Sequence, residues 1–178
     1  SHVDDEELYI DGDYERLKKE YIEGGAKYTA AYNAVNGGQK VLSFNEDFSV
    51  EVMNTGNYYT DGVASTAGPN GHSVSLLFKY KDFTFLTQGD ATTDEEEGLL
   101  KNEEMPEVTM YKASHHGSHG SNSQAFLNKI NPKEVVISAS RALSYQNRTN
   151  KEVNKLATSG HPADEAIGRI YNTPNIKE

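Results

Sequence analysis

Cysteine is absent from this chain of 178 residues, and so is tryptophan. Without thiols there is no disulfide framework, no thiolate zinc site and no cysteine nucleophile. The same absence leaves the redox compartment open, because a thiol-free protein suits either side of a membrane. No stretch approaches the roughly 20 consecutive apolar residues of a membrane-spanning helix, and no signal peptide is visible. Positive charge is scarce: 17 Lys and Arg stand against 27 Asp and Glu, a formal net charge of −10. That balance argues against gripping nucleic acid by bulk attraction.

What is present suits one folded domain spanning residues 1–178. Hydrophobic residues make up 35% and charged residues 25%, with 11 Tyr and 6 Phe as bulky apolar surface, enough for a sizeable core. The negative charge is unevenly spread. Residues 1–24 hold nine acids against three bases, and residues 91–107 hold seven acids against Lys101. Residues 108–160 reverse this, with seven bases against Glu134 and Glu152, and carry three of the six His. Ordinary surface patchiness accounts for the split. So does a locally basic rim beside an anionic ligand.

Residues 13–23 read as a helix, with Tyr14, Leu17, Tyr21 and Ile22 at helical spacing. Gly24-Gly25 interrupts it, and residues 26–35 resume it before Asn36-Gly37-Gly38. Short strands are expected at 40–44 and 48–53, then a long loop over 54–71. Residues 73–80 give the clearest strand, with Val74, Leu76, Phe78 and Tyr80 on one face. Lys81-Asp82 turns it into a hairpin partner at 83–87. The rest alternates: helix 93–102, strand 107–112, helix 121–130, strand 134–138, helix 149–158 and a last short strand at 168–172. Early strands followed by β/α alternation predict an α/β domain with layered sheets.

Two features bear chemistry. His115, His116 and His119 crowd a Gly/Ser loop straight after a strand. Imidazole is the commonest metal ligand, and a short loop at a strand end holds it rigidly. A solvated polar loop is the plainer account. Asp90 ends an apolar strand after Gly89, where a carboxylate can bridge cations; it also suits the N-cap of the following helix.

Four sequence words stand in order: Asn70-Gly71-His72-Ser73-Val74-Ser75-Leu76-Leu77; Phe85-Leu86-Thr87-Gln88-Gly89-Asp90; Tyr111-Lys112-Ala113-Ser114-His115-His116-Gly117-Ser118; and Asn131-Pro132 followed by Val135-Val136-Ile137-Ser138. Together they resemble the metallo-β-lactamase superfamily, most nearly the hydrolase domain of the competence DNA-uptake channel proteins of bacteria. The likeness covers roughly residues 70–158. It implies a layered αβ/βα sandwich of the metallo-β-lactamase type, lacking its N-terminal strands in this chain. It also implies a divalent metal, zinc first and manganese or calcium as alternatives, and hydrolysis of a phosphodiester. By that likeness Asp90 and His116 are catalytic. His2, Asp4, His72, Asp90, His115 and His116 bind metal, and Ser118 and Lys112 hold the substrate phosphate. The expected partner is a phosphodiester, with single-stranded DNA a candidate. The expected setting is extracytoplasmic or attached to a membrane protein, and the oligomeric state is not indicated.

The chain departs from that pattern at two places. The first metal word of this branch, Ser-His-x-Asp-x-Asp-His, finds only Ser1-His2-Val3-Asp4-Asp5-Glu6-Glu7. Glu6 and Glu7 replace Asp and His; carboxylates there favour harder ions. An added N-terminal remnant or a plain acidic end explains the segment equally. Near the other end, Gln146-Asn147-Arg148 occupies the place of Gly-His-Pro, and Gly160-His161-Pro162 comes later. His161 reads most simply as a loop residue before a Pro that starts a helix. Two other functions therefore stand beside phosphodiester hydrolysis: a degenerate member that binds without cleaving, and a secreted phosphocholine-type esterase of the same fold.

Overall fold

The computed structural model describes residues 11–56, 69–139 and 161–176. Helix α1 runs Asp11–Glu23 and α2 runs Ala31–Asn36. Strands β1 (Val41–Ser43), β2 (Phe48–Val52), β3 (Leu76–Tyr80) and β4 (Phe83–Thr87) follow, each antiparallel to the one before. Then come α3 (Thr93–Asn102), β5 (Met110–Lys112), α4 (Gln124–Ile130), β6 (Glu134–Val136) and α5 (Asp164–Tyr171). Strands β4, β5 and β6 are mutually parallel, so the six strands form one mixed sheet in chain order. The described residues thus form an α/β fold, as composition and periodicity predict, and no described helix is long and apolar enough to cross a membrane.

The hairpin forms where expected, with Lys81 at φ 51 in its turn. Helix α3 occupies the expected span, and its start settles one question about Asp90. Thr92 is the N-cap, its N–H and hydroxyl both donating to Glu95 at 2.8 and 2.7 Å. Asp90 is therefore not the cap.

One expectation is corrected. The segment expected as a last strand, 168–172, lies largely in α5. Ala166 and Ile170, four apart, are both buried. Asp164 and Glu165 stand in its first turn and Arg169 in its last, as the helix dipole favours. In β3, Leu76, Phe78 and Tyr80 share a face as expected, and the main core cluster lies on the other one. Leu77 pairs with Leu86, and Leu86 with Tyr111, and all three are at most 1% exposed. They meet Leu99 of α3, Phe126, Leu127 and Ile130 of α4, and Ile170 of α5. On the opposite face Phe48, Phe78, Tyr80, Phe83, Phe85 and Met110 line a shallow apolar hollow. The expected helix at 149–158, most of the expected loop at 54–71, and His2, Asp4, Glu6, Glu7 and Gln146-Asn147-Arg148 lie outside the described residues.

Candidate functional site

Three parallel strands deliver their C-terminal ends to one edge of the sheet, where ligands of α/β proteins commonly bind. Strand β4 leads to Asp90, β5 to His115 and His116, and β6 to Ser138. The loops are tied to one another. The His115 N–H donates to the Gly89 carbonyl at 3.0 Å, and the Asp90 N–H to Ser73 Oγ at 3.1 Å. Ser114 and Ser121 hydroxyls both donate to the Ala91 carbonyl, at 2.6 and 2.8 Å. Gly89 has φ +57 and passes so close that a Cβ would lie 3.2 Å from Ser73.

The histidine loop carries backbone strain. His115 (φ 47) and His116 (φ 54) are left-handed, and Gly117 (φ 77) continues in that region. For a residue with a Cβ such a conformation costs on the order of 1–3 kcal/mol, and it persists only where surrounding contacts over-determine it. Those contacts come partly from the start of α5. The Ala163 N–H donates to the Gly117 carbonyl at 2.8 Å, and a Cβ on Gly117 would come within 2.9 Å of Pro162.

That docking brings in a residue whose local sequence suggests only a plain loop. The His161 ring lies 5.0 Å from His115 and 6.2 Å from His116, centroid to centroid. Its Nδ1 is buried without a hydrogen-bond partner among the described residues. Burial and the neighbouring imidazoles hold its pKa below the usual histidine range, while Asp90 opposes them. The only sequence signal was the Gly-His-Pro triplet at an unexpected distance from the other words.

His116 shows the most informative geometry. Its Nδ1 lies 2.6 Å from the Ser138 carbonyl oxygen and 3.0 Å from Ser138 Oγ. A carbonyl only accepts, so Nδ1 carries a hydrogen. In the neutral ring Nε2 is then a lone pair, and it faces Asp90 Oδ1 at 3.4 Å. Two acceptors aimed at each other repel, and a proton or a bound cation between them would turn that repulsion into attraction.

The other expected residues fall around this pair in different ways. His72 is buried in the turn Pro69–His72, 5% exposed, next to Ser73, whose Oγ accepts from the Asp90 N–H. Ser118 is buried in the loop, its N–H donating to the His115 carbonyl and its Oγ accepting from the Gly120 N–H. Lys112 is half-buried and donates to the Ala113 carbonyl at 3.3 Å. The donors Asp90 and His116 suit zinc by type. Yet among the described residues no three His, Asp or Glu side chains are placed to hold a metal ion.

Behind the loop lies a buried polar network. Tyr111 donates to Gln88 Oε1 or Asn122 Oδ1, each at 3.0 Å. The Asn122 and Ser123 N–H groups donate to the two carboxylate oxygens of Glu96, which is fully buried. Burial is the largest influence on Glu96 and raises its pKa; the two N–H bonds and Arg169 pull the other way without cancelling it. A raised folded-state value means the folded protein keeps this proton after the unfolded chain has lost it. The associated stability is full below the ordinary carboxylate range and is lost as pH rises through the folded value. Urea unfolding from about pH 4 to about pH 7 should therefore show the wild type losing ground to Glu96→Gln as pH rises. A constant gap between the two would contradict this sign.

Compared with protein-family models and with curated proteins, the chain matches none.

Proposed function

We propose that this cluster at the strand ends is the centre of a metal-dependent hydrolase of phosphodiester bonds, built on a fold of the metallo-β-lactamase type. The observation that carries the reading is the facing pair His116 Nε2 and Asp90 Oδ1, two acceptors that call for a cation between them. His115 and His161 border the same pair. Zinc is the first candidate, with manganese or calcium behind it, and His2 and Asp4 are the residues proposed to complete its ligand set. The apolar hollow on the open sheet face supports the sandwich, since a second sheet layer would cover it.

The chain's own residues have definite parts in this reading. Ser138 fixes the His116 ring by holding the Nδ1 hydrogen. Asp90 favours positive charge at Nε2: with a metal there the two side chains would hold it as ligands, and only without one could His116 hold a proton for the leaving oxygen. Lys112 and the basic segment 108–160 counter the repulsion between a phosphodiester and an acidic chain.

A specific observation favours a second reading. No third donor converges among the described residues, and Glu6 and Glu7 stand where the resembling branch has Asp and His. The protein would then bind a phosphoester or a single strand without cleaving it.

The test uses the full chain, stripped by chelator and reloaded with zinc, manganese or calcium. It is offered bis(p-nitrophenyl) phosphate, a choline phosphoester and single-stranded DNA. Metal-dependent turnover of the simple phosphodiester or the DNA supports the hydrolase. Turnover of the choline ester alone points to the secreted-esterase variant. Stoichiometric metal without turnover supports the binding protein, and neither metal nor turnover overturns both.

A further inference from the structure

Asn122 is fully buried and left-handed at φ 61, seven residues beyond His115. Every polar group it owns is engaged, by partners on separate elements. Its side-chain oxygen accepts from the Ser114 N–H at 2.9 Å and lies 3.0 Å from the Tyr111 hydroxyl. Its side-chain amide donates to the Ser114 carbonyl at 3.0 Å. Its own N–H goes to Glu96 of α3, and its own carbonyl accepts from Arg169 Nε of α5 at 2.8 Å. Arg169 also donates to the carbonyls of His119 and Ser121, at 2.9 and 2.8 Å.

The side chain therefore pairs with both backbone groups of Ser114, as a neighbouring strand would. Ser114 is the last residue before the strained His115-His116 pair. No strand offers those two groups a partner here, because β5 ends at Lys112. From this geometry we infer that Asn122 is the positioning residue of the histidine loop, clamping Ser114 so that His115 and His116 stay left-handed and His116 keeps facing Asp90. Glu96 and Arg169 act one step further back, by fixing the backbone of Asn122. The inference deepens the proposed hydrolytic site, but its test needs neither metal nor substrate.

Asn122→Gly removes the amide at a position whose φ suits glycine. Asn122→Asp keeps the acceptor and drops the donor. Each is prepared as the full chain, uniformly 15N-labelled, and compared with the wild type by NMR. At about pH 9, above the ordinary imidazole range, His116 of the wild type is expected as the Nδ1–H tautomer, with separate protonated and unprotonated nitrogen signals. In Asn122→Gly those signals merge toward an average, and the Ser114 amide exchanges with solvent about tenfold faster, while Leu77 and Leu86 amides keep their protection. Asn122→Asp falls between the two, and it supplies the reading if the glycine variant does not fold. A general loss of stability would speed all these amides alike, so selective loss at the loop marks positioning. A variant that keeps the wild-type His116 tautomer and Ser114 protection overturns the inference, as does a wild type without the Nδ1–H tautomer. Absence of hydrolysis alone would overturn the proposed function and leave this result standing.

Discussion

Replacing Asp90 by Asn is expected to lower phosphodiester hydrolysis by about a hundredfold to ten-thousandfold, the range for loss of a positioned acid–base partner. The substitution keeps the shape of the side chain and removes its charge. The Asn amide can donate a hydrogen to the His116 Nε2 lone pair, which faces this position at 3.4 Å. The ring then stays where Ser138 holds it, while the attraction for a proton or a metal ion is gone. The fold should be untouched. Asp90 is 40% exposed at its side chain, Thr92 rather than Asp90 caps α3, and the Asp90 bond to Ser73 uses the backbone N–H. Partly exposed substitutions of this kind usually change stability by no more than about 0.5 kcal/mol. The measurement is turnover of bis(p-nitrophenyl) phosphate beside a thermal melt. A full rate with an unchanged melt would remove Asp90 from the chemistry and the hydrolase reading with it.

Phe126→Ala is expected to destabilise the protein by about 3–5 kcal/mol, the range for a buried Phe cut back to Ala. Phe126 is 0% exposed and lies edge-on to Tyr111, with centroids 6.0 Å apart. Its removal leaves a cavity between α4 and the sheet, under the residue whose hydroxyl meets Asn122 and the Ser114 N–H. Urea unfolding measures the loss. Tyr80→Ala is the matched control: Tyr80 is as large but 51% exposed, on the face away from α3, α4 and α5. Equal losses for the two variants would mean that the core lies on neither face in particular.

Local chemistry made much of this legible beforehand. The Lys81-Asp82 hairpin and the span of α3 follow from neighbours in sequence, a turn dipeptide and a capping pair. The position of Asp90 and of the His115-His116 loop at strand ends also follows locally, because apolar runs stop there. Other features were not legible, or were misread, for equally physical reasons. Alternation along β3 separates its two faces but does not say which one meets the helices, since both carry large apolar residues. Residues 168–172 are too few to distinguish a strand from the end of a helix when Asp164 and Glu165 are read as surface charge.

By itself, then, the sequence determined a thiol-free α/β chain with an acid and a histidine pair at strand ends. Those features depend on residue chemistry and on contacts within a few positions of the chain. Only the tertiary structure decided that His161 closes on His115, that the helices cover the Leu77 face, and that Asn122, Glu96 and Arg169 brace the loop. Glu96 lies 26 residues from Asn122 and Arg169 lies 47, and pairings over such distances are set by how the layers pack. Such packing leaves no periodicity in the chain from which the pairing can be read.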